Sequence, residues 1–230
     1  MYLFVSGATR TVNEILQSNS IESKYLGKYL TPRANCNKKY LDLTLKQGCL
    51  FGADNDCFNS FDKVKYERMI EILPRTDKLK YVTIPDSVGN FEETIRLFDE
   101  WQPLLKNEKL PLGFVLQDGM PINEIPFDKF SSLFIGGSTE YKLSEETANI
   151  VRIAKEKDKW IHMGRVNSYK RIRYANSIGC DSVDGTKYSM FANTYIPGAL
   201  ELLSELSNFV ADGLIAVEQG LELKELLDQR

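Results

Sequence analysis

The chain has 230 residues, 43% of them hydrophobic, enough for one sizeable core and a common length for a single α/β barrel. The formal net charge is −3, so there is no global basic field, and nucleic-acid contact would have to come from a local patch. No apolar run reaches the length of a membrane span, and no basic stretch precedes the apolar residues at the start, so neither a membrane anchor nor a secretory leader is expected.

Short apolar runs recur along the chain, each closing on a polar or glycine-containing turn. In order they are Tyr-Leu-Phe-Val-Ser-Gly (2–7), Cys-Leu-Phe-Gly-Ala-Asp-Asn (49–55) and Tyr-Val-Thr-Ile-Pro-Asp (81–86). Then come Gly-Phe-Val-Leu-Gln-Asp-Gly (113–119), Ser-Leu-Phe-Ile-Gly-Gly-Ser (132–138), Trp-Ile-His-Met-Gly-Arg (160–165) and Cys-Asp-Ser-Val-Asp-Gly (180–185). Residues 25–31 are a weaker eighth candidate. Runs this short and this continuously apolar suit strands buried on both faces.

Amphipathic stretches lie between them. Asn90 with Glu93 reads as a helix start, followed by Ile95, Phe98, Trp101 and Leu105 at helical spacing. Ser144 is placed to cap a helix through Ile150, Val151, Ile153 and Ala154. Residues 166–177 and 198–210 are two further helices. Strand–helix alternation repeated seven or eight times predicts a parallel sheet. With no Gly-rich dinucleotide fingerprint after any strand, the closed (β/α)8 TIM barrel is favoured over an open doubly wound sheet, as one domain over residues 1–230.

The four cysteines, Cys36, Cys49, Cys57 and Cys180, contain no C-x-x-C pair, and His162 is the single histidine. That spacing argues against a Cys/His zinc site, and reduced thiols suit a cytoplasmic protein. No cofactor or metal is expected.

Barrel active sites gather at the carboxyl ends of the strands. Here those ends carry Ser6-Gly7, Asp54-Asn55-Asp56, Asp86, Gln117-Asp118, Gly136-Gly137-Ser138, Gly164-Arg165 and Asp181 with Asp184. A single Asp at such a position can simply cap the next helix. Capping needs neither a glycine pair nor Gln117, so the whole set points to a site.

Six blocks in order carry a resemblance. They are Gly-Ala-Asp-Asn-Asp-Cys-Phe (52–58), Ile-Pro-Asp (84–86), Val-Leu-Gln-Asp-Gly (115–119), Phe-Ile-Gly-Gly-Ser-Thr-Glu (134–140), His-Met-Gly (162–164) and Gly-Cys-Asp-Ser-Val-Asp (179–184). Together they resemble the active-site blocks of the tRNA-guanine transglycosylases, and more closely the related phage-type 7-deazaguanine DNA transglycosylases, over about residues 50–190. The resemblance implies a (β/α)8 barrel that exchanges guanine for a 7-deazaguanine base through a covalent glycosyl–enzyme intermediate. It implies Asp184 as nucleophile and Asp54 as general acid/base. It further implies a base pocket in which Asp86 accepts from the N1–H and amino edge of the purine. Gln117 and the Gly137 backbone N–H would meet its O6 side, with Gly136, Met163 and Gly164 lining the pocket.

Asp181 is expected to end its strand, with the chain turning before Asp184 and Gly185 directly after it permitting the turn, which makes Asp181 structural or a support for the site's own residues. His162 is expected to be a satisfied strand histidine. Two departures from the family pattern matter. The C-x-C-x-x-C…H zinc motif of the tRNA enzymes is absent from the sequence, which favours DNA over tRNA. The glycine pair after the first acid is replaced by Asp56-Cys57, and a second carboxylate there is expected to disturb the ionisation of Asp54.

Arg165, Lys170, Arg171, Arg173 and Lys187 form the expected DNA-contacting patch, with a flipped nucleotide at the barrel mouth. Arg33, Lys38 and Lys39 add to the local basic groups. The apolar residues within 200–227 predict a homodimer. An N-glycoside hydrolase, a tRNA-acting transglycosylase and a non-catalytic module that binds a modified base or DNA remain the alternatives.

Overall fold

A computed structural model describes residues 1–7, 9–34 and 36–218. Eight strands follow in chain order: β1 (Tyr2–Val5), β2 (Leu26–Leu30), β3 (Phe51–Ala53), β4 (Leu79–Thr83), β5 (Leu112–Leu116), β6 (Ser132–Ile135), β7 (Trp160–Met163) and β8 (Ser182–Asp184). Each pairs in parallel with the next, and β8 pairs with β1, so the sheet closes into the expected (β/α)8-type barrel. Outside it run α1 (Thr9–Ser18), α2 (Lys38–Lys46), α3 (Lys63–Ile72), α4 (Phe91–Lys106), α5 (Thr139–Lys142), α6 (Glu145–Glu156), α7 (Tyr169–Ser177), α8 (Thr186–Met190) and α9 (Ala192–Glu218). No helix among the described residues is long and apolar enough to cross a membrane.

The strand pattern follows from burial on two sides. Outward residues such as Leu3, Val82, Phe114, Leu133, Ile161 and Val183 pack against the helices. Inward residues fill the barrel with aromatic rings. Phe4, Tyr29, Tyr81, Phe134 and His162 form one plug, with Tyr81–His162 and Phe134–His162 centroids both 4.8 Å apart. Gly27 and Gly52 make room for it, because a Cβ at either position would overlap the ring of Phe4 or Tyr81. The plug is the floor of the cavity described below.

Strand β2 gave the weakest signal because two of its five residues break the apolar pattern. Gly27 yields to Phe4, and Lys28 is buried with its ammonium on Gln47 Oε1 at 2.6 Å and 4.6 Å from the Tyr40 ring centroid.

Helix α4 starts as expected, with Asn90 Oδ1 accepting from the Glu93 N–H at 3.0 Å. The Glu93 carboxylate pairs with Arg96 instead of completing the capping box. Ser144 caps α6 through the Thr147 N–H at 3.1 Å. Helix α7 begins later than expected, at Tyr169 after a Ser168 cap. Val166 and Asn167 instead tie the loop to the β8–α8 segment.

Helix α9 begins earlier than expected, because Ala192, Ile196, Ala199, Leu200 and Leu203 already make a helical stripe buried on the barrel. Leu200, Leu202 and Leu203 are therefore used inside the chain and are not spare for a dimer. Side chains of the dimer stretch from residue 209 onward lie outside the described residues.

The alternation is interrupted once. Between β5 and β6 stand two 3-10 turns, Ile122–Glu124 and Phe127–Lys129, in place of a helix. Pro121 and Pro126 supply no N–H for a longer helix. Ile125, Phe127 and Phe130 cover the sheet there instead, with Phe130 stacked on Phe114 at 5.3 Å.

Candidate active site

A cavity of about 560 Å³ opens at the carboxyl ends of the strands. Asp54, Asp86, Gln117, Gly136, Gly137, Gly164, Arg165 and Asp184 all line it, so six separate strand ends converge as the sequence suggested. Met163 does not line it. Its strand alternates, His162 pointing inward and Met163 outward, and Met163 is buried between sheet and helices.

The two acids of the last strand part in the same way. Asp181 precedes β8 and faces out, bonding Lys155 Nζ at 2.9 Å and accepting from the Ile161 N–H at 2.7 Å. Asp184 ends β8 and faces the cavity. The expected turn between them does not occur. Alternation alone puts the acids on opposite faces, and Asp181 is structural, as expected.

Asp184 Oδ1 accepts from the Arg165 backbone N–H at 2.6 Å, and His162 Nε2 lies 3.6 Å from the same oxygen. His162 is only half satisfied. Its Nδ1 meets Ser182 Oγ at 2.8 Å while Nε2 has no hydrogen-bond partner among the described residues. Burial lowers its pKa, so the ring is neutral at physiological pH.

Asp54 follows β3 and is bonded by Thr83 Oγ1 at 3.1 Å and the Asp56 N–H at 3.0 Å. Burial, then the nearby Asp86 charge, pushes its carboxyl up to about 7, with Asp184 adding and the Asp56 and Thr83 donors opposing. Asp56 departs from the role expected of it. Its backbone takes the left-handed conformation (φ 64°) where the family pattern has glycine, and its N–H steadies Asp54. Its own carboxylate is engaged by Arg33 Nε at 3.2 Å and Asn59 Nδ2 at 2.6 Å, so it acts on Asp54 through the backbone and not by repulsion.

Asp86 and Gln117 form a rigid pair. Asp86 Oδ1 accepts from Asn55 Nδ2 at 2.8 Å and Oδ2 from Gln117 Nε2 at 2.7 Å, while Gln117 Oε1 accepts from the Gly89 N–H at 3.0 Å. Burial raises the Asp86 pKa against these donors. One Gln117 N–H is committed to Asp86, leaving its second for a ligand. Gly136 and Gly137 form the adjoining wall. A Cβ on Gly136 would stand 2.7 Å from the Leu116 carbonyl oxygen, and Gly137 has φ 75° with Asp118 behind it.

The basic patch is uneven. Arg165 belongs to the cavity itself, donating to the Gly137 carbonyl at 2.8 Å with its guanidinium 4.3 Å from the centroid of the exposed Phe58 ring. Arg171 reaches Thr139 Oγ1 at 3.4 Å, and Lys187 sits 3.6 Å from the Tyr195 ring centroid. Lys170 and Arg173 are solvent-exposed on α7, whose start borders the rim.

Sequence reasoning placed Asn55 at a strand end without giving it a role, and missed Lys142 and Tyr29. Lys142 is buried, lines the cavity and donates to the Gly164 carbonyl at 2.8 Å. Burial, then Arg165, lowers its pKa to about 8. Tyr29 lies beside Asp54 and Asp184, and burial followed by those charges keeps its phenol protonated. Among the described residues, no group of three or more His, Cys, Asp or Glu side chains is gathered as a metal site would require. The chain matches no family model and no curated protein sequence.

Proposed function

We propose that the chain is a base-exchange enzyme that replaces guanine in DNA by a 7-deazaguanine derivative. The observation that carries the reading is the meeting of two carboxyls in different hydrogen-bonding surroundings with a hydrogen-bonded Asp–Gln pair in one cavity. Asp184 is held by a backbone donor, Asp54 is half-buried with its carboxyl near neutrality, and the Asp86–Gln117 pair stands with them.

The chemistry follows in two displacements. Asp184 attacks C1′ as the C1′–N9 bond breaks, and the bonding pair leaves with the purine, which takes a proton from Asp54. The incoming base gives its N9 proton to Asp54 and attacks C1′, releasing the Asp184 carboxylate. Two inversions restore the original configuration. A carboxyl at about 7 is half protonated near physiological pH, which suits a group that must give and then take a proton.

Asp86 can accept from the adjacent N1–H and amino group of a guanine-type base, and the free Gln117 N–H and the Gly137 N–H can donate to its O6. Phe58 with Arg165 offers a surface on which a flipped base can stack. Arg33, Arg165, Lys170, Arg171 and Lys187 around the rim give phosphate binding that weakens with salt. The absence of the zinc motif favours DNA over tRNA as the acceptor.

Incubation of the protein with guanine-containing duplex DNA and labelled 7-deazaguanine bases tests the proposal. Label entering the DNA with release of guanine is the expected result. Release of free guanine without added base would make the chain an N-glycoside hydrolase. Tight binding with neither product would make it a binding module.

A further inference from the structure

The peptide that joins Gly164 to Arg165 is bonded at both ends. Its N–H donates to Asp184 Oδ1 at 2.6 Å, and its carbonyl accepts from Lys142 Nζ at 2.8 Å. Arg165 is held at φ 58°, a left-handed conformation unusual for a residue with a side chain. The Arg165 side chain is anchored separately on the Gly137 carbonyl and the Phe58 ring. Lys142 is one turn into a four-residue helix, 6% exposed, with its charge directed at one carbonyl oxygen.

We propose that Lys142 is a positioning residue that acts through the 164–165 peptide: its ammonium polarises the carbonyl, strengthens the opposite N–H, and fixes Asp184 Oδ1 so that Oδ2 is left to attack. This rests on the reading of Asp184 as the nucleophile. A charged donor on one end of an amide and a carboxylate on the other form a short cooperative chain. The charged groups facing Lys142 are Arg165 from the loop after β7, Asp184 from the end of β8, Arg171 from α7 and Asp118 from the loop after β5, with His162 beneath Asp184. Burial and the two arginines make its proton labile near 8, so the support is present at neutral pH and is lost above that value.

Two measurements test this. The first is the backbone amide resonance of Arg165, followed by NMR as pH rises. The wild-type resonance moves through a transition near 8 that is absent in Lys142→Met. The second is the single-turnover rate of covalent adduct formation on a guanine-containing duplex. Lys142→Met slows it roughly tenfold to hundredfold, and Lys142→Arg, which keeps the charge, recovers most of the rate. The alkaline limb of the wild-type profile contains two ionisations, near 7 and near 8, and that of Lys142→Met only the first.

An Arg165 amide that ignores pH in the wild type overturns the inference, and that result needs no variant to fold. So does a Lys142→Met enzyme with the wild-type rate and profile, which would leave the transglycosylase reading intact. Loss of the amide transition in Lys142→Met, with no adduct on the wild type, would support the Lys142 relay and refute the nucleophile.

Discussion

Replacing Asp54 by Asn removes a carboxyl that the fold holds at a cost. In the folded chain it ionises at about 7 instead of 3.8, because it is half-buried and faces Asp86 and Asp184. Between those values the folded state carries more protons than the unfolded one, so stability falls as pH rises and the loss is complete above about 7. The full difference is roughly 4 kcal/mol, of which roughly 3 develop between about pH 4.5 and pH 8.5. Asn keeps one acceptor for the Asp56 N–H or the Thr83 hydroxyl and loses the other, which costs about 1 kcal/mol at every pH. Asp54→Asn is therefore near neutral or mildly destabilising in acid and clearly stabilising in base. Urea unfolding of both proteins at the two pH values measures this directly. A stability difference that does not change with pH would refute the account of Asp54, whatever its sign. The same variant should fail to turn over, since an amide cannot deliver the proton. A more stable and inactive protein is what a strained functional carboxyl predicts.

Asp86→Asn puts a third amide against the Asn55 and Gln117 donors and removes the acceptor for a purine edge. Its affinity for a free 7-deazaguanine base should fall by about 2 kcal/mol or more in calorimetric titration, and unchanged affinity would remove Asp86 from the pocket. Gly137→Ala forces a side chain into φ 75° and against Asp118, and should lower stability by roughly 1–3 kcal/mol in thermal unfolding. Asp181→Asn weakens the Lys155 pair on the outer face and should cost about 1 kcal/mol or less in urea unfolding while leaving the rate of adduct formation at wild type.

The barrel was legible because buried parallel strands leave short, nearly continuous apolar runs, and seven of eight stood out. The eighth, β2, was faint because Gly27 clears space for a ring from another strand and Lys28 is buried through a partner from α2. Neither reason is local. The rim was legible because strand ends are where polar residues interrupt those runs, and Asp54, Asp86, Gln117, Gly136, Gly137, Gly164 and Asp184 all reach the cavity. Met163 was misassigned by following a block of neighbouring residues instead of the two-residue alternation that turns it outward. Asp56 was misread because its carboxylate looked decisive, when Arg33, distant in sequence, engages that charge and the backbone N–H does the local work. Lys142 was not found because its role depends on which carbonyl it meets across 22 positions, and spacing carries no trace of that.

The central claim is that Asp184 carries the sugar during exchange. Intact-protein mass spectrometry under denaturing conditions, after incubating wild type and Asp184→Ala with a short guanine-containing duplex, tests it most directly. The account predicts a nucleic-acid adduct on the wild type and none on Asp184→Ala. An adduct of equal yield on both would contradict it and move the nucleophile to another carboxylate, with Asp54, which lines the same cavity, next in line.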